Sequence, residues 1–302
     1  MIPHHHFSSE SGATQMRFQR LIFAVILACG VTACAKSVTG VTHTPPPLAY
    51  VRYINAVSDT FSMDLRAVDQ VTYSQPFLNV AYRGLGDGNY QGYQAGSRHV
   101  RVFLDPSPAN NGVAVDPIVV STVMADTTYT FTAGTYYTVV HVGSARAKTT
   151  KLWIIQDALP TQSAASVQYR IINVASVQGA VDVYVRGDGT TPLSGTPTLS
   201  ALASQSPPTS YLTQAPGPLV IRLTLPGTLT AVGAAAGYTL QPGTPGTTAA
   251  DPIYGSLQGG SILTAFVFDA TPAGKAGPAN TNFATLGVVY FPDVQPARTT
   301  SP

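Results

Sequence analysis

The sequence is poor in charged residues. They make up 10% of the 302 residues, far below the typical ~25% of soluble domains. Helical bundles and coiled coils, which need abundant Glu and Lys, are therefore excluded. Lys and Arg total 16 against 14 for Asp and Glu and are scattered rather than clustered. Because no basic stripe exists to neutralise phosphates, nucleic acid is excluded as a partner.

Cysteine and glutamate are almost absent. The chain has two cysteines, Cys29 and Cys34, and one glutamate, Glu10, all near its start. If that segment is removed by a signal peptidase, the remaining chain can form no internal disulfide. It then has no glutamate, and its aspartates are expected mostly in turns or on outward strand positions, which argues against the paired carboxylates in a cleft that glycosidases use. His99 and His141 lack the spacing of metal ligands. We therefore expect no metal and no cofactor.

The N-terminus has the pattern of a bacterial lipoprotein signal. Arg17 and Arg20 precede the apolar run at 21–28, which is too short to span a bilayer. Val-Thr-Ala-Cys at 31–34 resembles a lipobox, whose cysteine is lipidated after cleavage. We expect a signal peptide over 1–33, with Met16 as the true start, and a lipidated Cys34 followed by a Pro-rich tether, together spanning 34–49. Ala35 resembles the residue that sorts lipoproteins to the outer membrane.

Two long blocks of the chain resemble each other. Residues 50–65 align with residues 168–183 without a gap, which pairs Arg52 with Arg170 and Asp64 with Asp182. Further blocks recur in the same order: 95–103 with 215–223, 133–140 with 259–266, and 153–160 with 290–296. A repeat of this length fixes the architecture before single elements are assigned. It predicts tandem domains over residues 50–161 and 167–297, followed by a tail over 298–302.

Both blocks show the period of β-strands. Met63 and Leu65 alternate with Asp64 and Arg66, and residues 181–186 repeat that alternation. The runs 136–142 and 262–268 are apolar on both faces, which is typical of central strands. Short strands with turn residues between them predict an all-β fold, one β-sandwich in each domain. The stretches 187–217 and 226–252, rich in Gly, Pro, Ser and Thr, are predicted to be long surface loops.

The recurring polar residues are candidates for structural contacts. Arg52 with Asp64, and Arg170 with Asp182, have the same separation in both blocks. If their strands pair, each arginine meets its aspartate across the sheet as a bidentate salt bridge, a structural clasp. A binding role is the alternative. Asn55 and Asn173 are expected to bond the backbone at strand ends.

Tyrosine is the enriched aromatic residue. Tyr82, Tyr90 and Tyr93 are candidates for contact with a sugar or a protein, because a tyrosine ring is rigid and amphipathic. Packing in the core or on the sheet surface is the alternative and the favoured interpretation. Trp153 is expected in the core.

The motifs of the first block carry a family resemblance. Residues 51–59, 63–65, 95–102 and 131–143 together resemble the bacterial family catalogued as domain of unknown function 4397. The second block resembles it more weakly, with Ser-Ile-Leu-Thr at 261–264 in place of the tyrosine pair at 136–137. The resemblance implies secreted or lipid-anchored envelope proteins with immunoglobulin- or transthyretin-like β domains, often in tandem. It implies no catalytic residue.

These observations favour a non-catalytic protein of the cell envelope. We expect it to be held to the membrane, in the outer membrane, by a lipid on Cys34, and to serve as a structural or ligand-binding module for surface polysaccharide or protein. The alternative is a periplasmic or surface hydrolase, for which His99 or His141 would have to meet an Asp and a Ser or Thr. A third interpretation is a spacer or assembly subunit that uses exposed strand edges.

Overall fold

The computed structural model describes residues 45–60, 62–70, 76–86, 89–105, 122–243, 254–272 and 283–296. The predicted signal peptide over 1–33, the anchor Cys34 and the tail over 298–302 lie outside the described residues, as does most of the predicted tether. The described part from Pro46 onward belongs to one compact unit.

The first half of the described chain forms two four-stranded sheets. Their strand orders are β4-β1-β7-β8 and β3-β2-β5-β6. Strands β1 and β7 run parallel, and the other pairs are antiparallel. The bounds are β1 Leu48–Asn55, β2 Ser62–Ala67, β3 Phe77–Val80, β4 Gln91–Gln94, β5 Gly96–Asp105, β6 Val123–Phe131, β7 Tyr136–Val142 and β8 Lys151–Asp157.

The second half repeats this arrangement. Its sheets have the orders β12-β9-β16-β17 and β11-β10-β13-β14, and β15 also pairs with β13. Strands β9 and β16 run parallel, as β1 and β7 do. The bounds are β9 Val167–Asn173, β10 Val181–Arg186, β11 Leu199–Leu202, β12 Leu212–Gln214, β13 Leu219–Thr224, β14 Ala231–Val232, β15 Tyr238–Leu240, β16 Ile262–Phe268 and β17 Gly287–Val294.

Each half buries an apolar core between its two sheets. Val51 and Tyr53 of β1 meet Met63 and Leu65 of β2 in the first core. The second core is likewise formed by every second residue of its strands. The predicted all-β, sandwich-type fold is confirmed, and so are the central strands at 136–142 and 262–268. The described residues include no helix that could cross a membrane.

A third apolar cluster lies where the two halves meet. Alternation turns Ile54 of β1 and Val140 of β7 away from the first core, and they pack against Ile172, Phe266 and other residues of the second half. Trp153 of β8 packs on the edge of this cluster and is half-buried. The outer faces of the two sheets therefore form one buried interface.

The two predicted long loops contain strands. The stretch 187–217 includes β11 and β12, and the described part of 226–252 includes β14 and β15. The prediction of strand-free surface loops is therefore wrong for these segments. Strands of two to four residues are too short to show a period of two in sequence.

Candidate functional site at the interface of the halves

Arg52 lies at the centre of the interface. Its neighbours Val51 and Tyr53 point into the first core, so alternation along β1 turns Arg52 toward the second half, where it is 0% exposed. Its Nε donates to Thr138 Oγ1 at 2.8 Å. Its Nη1 lies 2.7 Å from Asp293 Oδ1 on β17. Since Nη1 directs its hydrogen bond to the Pro292 carbonyl at 3.4 Å, the pair with Asp293 is an electrostatic contact.

Arg170 takes the equivalent place on β9. Its Nε donates to Thr264 Oγ1 at 2.9 Å, and its Nη2 lies 2.5 Å from Asp157 Oδ1 on β8. The threonines complete the arrangement: Thr138 Oγ1 donates to Asp157, and Thr264 Oγ1 donates to Asp293, each at 2.6 Å. Each arginine thus donates a hydrogen bond to the threonine of its own half and forms an ion pair with a carboxylate of the other half.

Two tyrosines cover the arginines. Tyr90 Oη donates to Asp157 at 2.8 Å, and the centre of its ring lies 4.6 Å from the Arg52 guanidinium. Tyr211 Oη donates to Asp293 at 2.7 Å, and its ring lies 4.9 Å from the Arg170 guanidinium. We call these eight residues the interface network: Arg52, Tyr90, Thr138, Asp157, Arg170, Tyr211, Thr264 and Asp293.

The network is electrically balanced. Burial alone would lower the pKa of Arg52, but the combined attraction to Asp293, Asp157 and the two tyrosines outweighs burial, and the pKa is raised. The pKa of Arg170 is likewise raised, with burial opposed by Asp157. Burial also raises the pKa of Tyr90 and of Tyr211. Two guanidinium groups therefore face two carboxylates, and neither arginine nor tyrosine exchanges a proton near neutral pH.

The predicted pairings of Arg52 with Asp64 and of Arg170 with Asp182 are wrong. β1 and β2 belong to opposite sheets of the first sandwich, and β9 and β10 are divided in the same way. The side chains that were expected to meet therefore lie on different outer faces, with an apolar core between them. The arginines pair instead with carboxylates of the opposite half.

Both aspartates fix backbone within their own sheet. Asp64 accepts the Asn79 N–H at 2.7 Å and pairs with Arg66, whereas Asp182 accepts the Ala201 N–H at 2.6 Å and another N–H from the turn after β13. Asn79 and Ala201 both have positive φ, 55° and 44°, so the carboxylates hold an unfavourable backbone conformation in place. Burial is the main reason why the pKa of Asp64 is raised.

None of the three tyrosines predicted as ligand contacts is fully exposed. Tyr82 is 4% exposed, with its hydroxyl bonded to the Asp269 carbonyl, and Tyr93 is 6% exposed in the first core. Ligand contact is therefore wrong for these two, and the packing interpretation holds. Tyr90 is half-buried and belongs to the interface network. Asn55 and Asn173 bond the backbone after β1 and β9, as predicted.

Neither His99 nor His141 belongs to the interface network. His99 Nε2 lies 2.6 Å from Asp126 Oδ1 on the outer face of β5 and β6, where Arg101 bonds the same carboxylate. His141 is 0% exposed, and neither ring nitrogen has a hydrogen-bond partner among the described residues. Within the described ranges, no cluster of three or more His, Cys, Asp or Glu could hold a metal ion.

A cleft opens beside the network. It has a volume of about 430 Å³ and lies between the end of β8, the start of β9 and the segment before β12. Arg170 and Tyr211 form part of its wall. Its other lining residues are Gln156, Ala158, Pro160, Gln168, Pro208, Thr209 and Ser210.

Five of the eight network residues were not predicted from the sequence. Thr138 and Thr264 recur at matching positions of the aligned blocks, and Asp157 and Asp293 recur near the end of each. That recurrence is the signal that could have found them, since Arg52 and Arg170 were found by the same criterion. Tyr211 directly precedes β12 as Tyr90 directly precedes β4. Both tyrosines lie outside the aligned blocks, so the repeat did not pair them.

Residues 49–184 match the family described as Domain of unknown function (DUF4397). The match covers all of the first sandwich apart from the first residue of β1, and it continues through β9 into β10 of the second. It therefore includes four members of the network's first half and Arg170 of the second. No curated protein matches the chain.

Proposed function

We propose that this chain, which matches the DUF4397 family over residues 49–184, is a lipid-anchored protein of the cell envelope. In this proposal two β-sandwich modules act as one non-catalytic body at the cell surface. The body has a structural role or binds a ligand, polysaccharide or protein. The lipid on Cys34 holds it to the outer membrane.

The observation that carries the proposal is the reciprocal exchange of carboxylates. Arg52 of the first half pairs with Asp293 of the second, and Arg170 of the second pairs with Asp157 of the first. These buried pairs, together with the apolar cluster around them, resist separation of the halves. Halves that are joined in this way suit a structural or ligand-binding body better than they suit an enzyme that works by a hinge between its domains.

The anchor follows from the N-terminal sequence. Residues 35–47 separate Cys34 from the start of β1. At about 3 Å per residue for an extended Pro-containing linker, this segment could hold the body ~40 Å from the bilayer. That reach would clear lipid headgroups and bring the body to extracellular polymers.

The test is fractionation of a Gram-negative host that expresses the whole chain. Wild type should enter the membrane fraction and be cleaved when intact cells are treated with protease, whereas Cys34→Ala should be released. Cys29→Ala is the matched control, because it removes the other cysteine without touching the lipobox, and it should behave as wild type does. Release of wild type, or retention of Cys34→Ala, contradicts the anchor.

A hydrolase is the second candidate, because His99 and Asp126 are in contact. Thr128 of β6 pairs with His99 across the strands, so a hydroxyl lies near the pair. The test is a panel of chromogenic ester and glycoside substrates. Turnover that His99→Ala abolishes would favour the hydrolase, and under the first proposal wild type turns over none of them.

A further inference from the structure

The cleft beside the interface network is built by both halves. The first half contributes Gln156 of β8 and the residues that follow it, and the second half contributes Gln168 and Arg170 of β9. Because Tyr169 and Ile171 point into the second core, alternation places Gln168 and Arg170 together on the outer face. The segment before β12, with Thr209 and its neighbours, closes the third side. Its volume, about 430 Å³, lies within the range of small-molecule sites.

Two polar atoms of the lining lack a partner. Gln168 Oε1 and Thr209 Oγ1 are buried, and neither has a hydrogen bond to any residue that the structure describes. Buried polar atoms are nearly always bonded, so each needs a partner beyond the described residues, which a bound ligand can supply. An amide oxygen needs a donor, and a threonine hydroxyl can give or accept a hydrogen bond. Ligand hydroxyl groups meet both requirements.

The charges of the lining are already neutralised. Arg170 pairs with Asp157, and the Tyr211 hydroxyl bonds to Asp293. A charged ligand would therefore have to compete with an existing buried contact before it found a counter-charge. Pro160, Pro208 and Ala158 add apolar surface next to the amide and hydroxyl groups. This mixture suits a neutral molecule that has both C–H faces and hydroxyl groups.

The equivalent place in the first half is aromatic. Tyr50 aligns with Gln168, and Tyr136 aligns with Ile262. The Tyr50 and Tyr136 rings stack with their centres 4.8 Å apart, and Tyr90 meets Tyr136 edge-on at 5.0 Å. The second half thus has an amide and an aliphatic side chain where the first half has stacked rings, which accounts for the space beside Arg170.

From these observations we infer that the cleft between Gln168, Arg170 and Thr209 is a binding site for a neutral saccharide, of the size of one or two sugar units. The inference deepens the ligand-binding part of the proposed function and rests on it. It assigns the ligand contact to the boundary between the halves instead of to the tyrosines of the first half.

The experiment measures saccharide binding to the whole protein purified from an expressing host. The probes are glucose, N-acetylglucosamine, maltose and cellobiose, with inorganic phosphate as an anionic comparison, and binding is followed by saturation-transfer NMR and calorimetry. Gln168→Tyr introduces the side chain that the first half has at the equivalent position, Tyr50, and fills the cleft. Thr209→Val removes one hydroxyl with little change of shape, and Thr130→Val makes the same change on the exposed face of β6.

At least one saccharide should bind wild type. Gln168→Tyr should weaken that binding by at least about tenfold, because it occupies the site. Thr209→Val should weaken it several-fold, and Thr130→Val should leave it unchanged. The inference is overturned if no saccharide of the panel binds, if binding survives both cleft variants, or if phosphate binds at Arg170 in preference. Thermal unfolding of each variant tests whether it is folded. If Gln168→Tyr does not fold, the result for Thr209→Val decides the outcome.

The two proposals can fail separately. Loss of the saccharide site with normal membrane retention would refute the cleft assignment alone. Saccharide binding by a protein that fractionation shows to be released would refute the anchor alone.

Discussion

Arg52 Nη1 and Asp293 Oδ1 lie 2.7 Å apart and join the first strand of the described chain to the last. Arg170 and Asp157 make the equivalent contact across the same interface at 2.5 Å. The halves therefore meet as the two subunits of a symmetric dimer do, with the same surface contributed twice. Each half folds its own core, yet each arginine takes its direct ion-pair partner from the opposite half.

Asp293→Asn should destabilise the protein strongly. The change leaves the guanidinium of Arg52 buried without its counter-charge, and removal of one partner from a buried pair costs about 3–5 kcal/mol. The free energy of unfolding, measured by urea titration at pH 7, should fall by that amount. Asp157→Asn should have a comparable effect through Arg170.

The matched control for this prediction is Asp126→Asn. Asp126 pairs with Arg101 and His99 on an exposed sheet face, where water screens the charges. Its urea midpoint should stay close to that of wild type. If Asp293→Asn and Asp126→Asn have equal effects, the interface pair contributes no more than an ordinary surface contact.

Wild type should unfold in a single transition. The apolar cluster shared by Ile54, Val140, Ile172 and Phe266 is lost when either half unfolds, so each half stabilises the other. Calorimetry should give equal calorimetric and van't Hoff enthalpies. Two separate transitions in wild type would show that the halves are thermodynamically independent.

The cores were predictable from sequence because strand alternation is local. The alternation that begins at Met63 recurs from Val181, and the two segments form the matching strands β2 and β10. The roles of Asn55 and Asn173 were also predictable, because a short amide side chain at the end of a strand bonds to nearby backbone. In each case the decisive contacts lie within one sandwich.

The partner of Arg52 was not predictable in the same way. Its contact depends on how two finished sandwiches stack, and nothing in the spacing of Arg52 and Asp64 reports that they lie on opposite sheets. The recurrence of Asp157 and Asp293 points to the carboxylates involved, but it does not report their exchange between the halves. The cleft depends on a difference between the copies, Tyr50 in the first and Gln168 in the second, and a repeat reveals only what its copies share.

Asn55→Ala and Asn173→Ala should destabilise the protein to a similar degree. Asn55 Nδ2 donates to the Val80 carbonyl at 2.9 Å, and Asn173 Nδ2 donates to the Leu202 carbonyl at 2.9 Å. Each asparagine thereby joins the two sheets of its sandwich. Loss of the amide leaves buried backbone groups unpaired, at a cost of about 2–3 kcal/mol in the free energy of unfolding.

Hydrogen exchange can locate this effect. In Asn55→Ala the amides of β3 should lose protection, and in Asn173→Ala those of β11 should do so. A loss of stability without a local change in exchange at these strands would show that the asparagines do not act as ties between sheets.

His141 should make the protein sensitive to acid. Its neighbour Val139 packs in the first core, and burial lowers the pKa of His141 to about 3 from its ordinary value of 6.5. Between these two values the unfolded chain binds a proton that the folded chain does not. Stability therefore falls as pH falls from 6.5 toward 3, by about 1.4 kcal/mol per pH unit.

His141→Val should remove this loss. The second half has Val267 at the equivalent position of β16, buried in the second core, so the change copies a side chain that the fold already accommodates. Between pH 6.5 and pH 4.5 the variant should lose about 2–3 kcal/mol less unfolding free energy than wild type loses, since two pH units separate the conditions. Other titrating groups are common to both proteins and cancel in the comparison. Thr130→Val, which changes an exposed position of β6 that carries no titrating group, should retain the wild-type loss. If His141→Val loses as much stability as wild type does, acid sensitivity arises elsewhere and His141 is protonated in the folded protein.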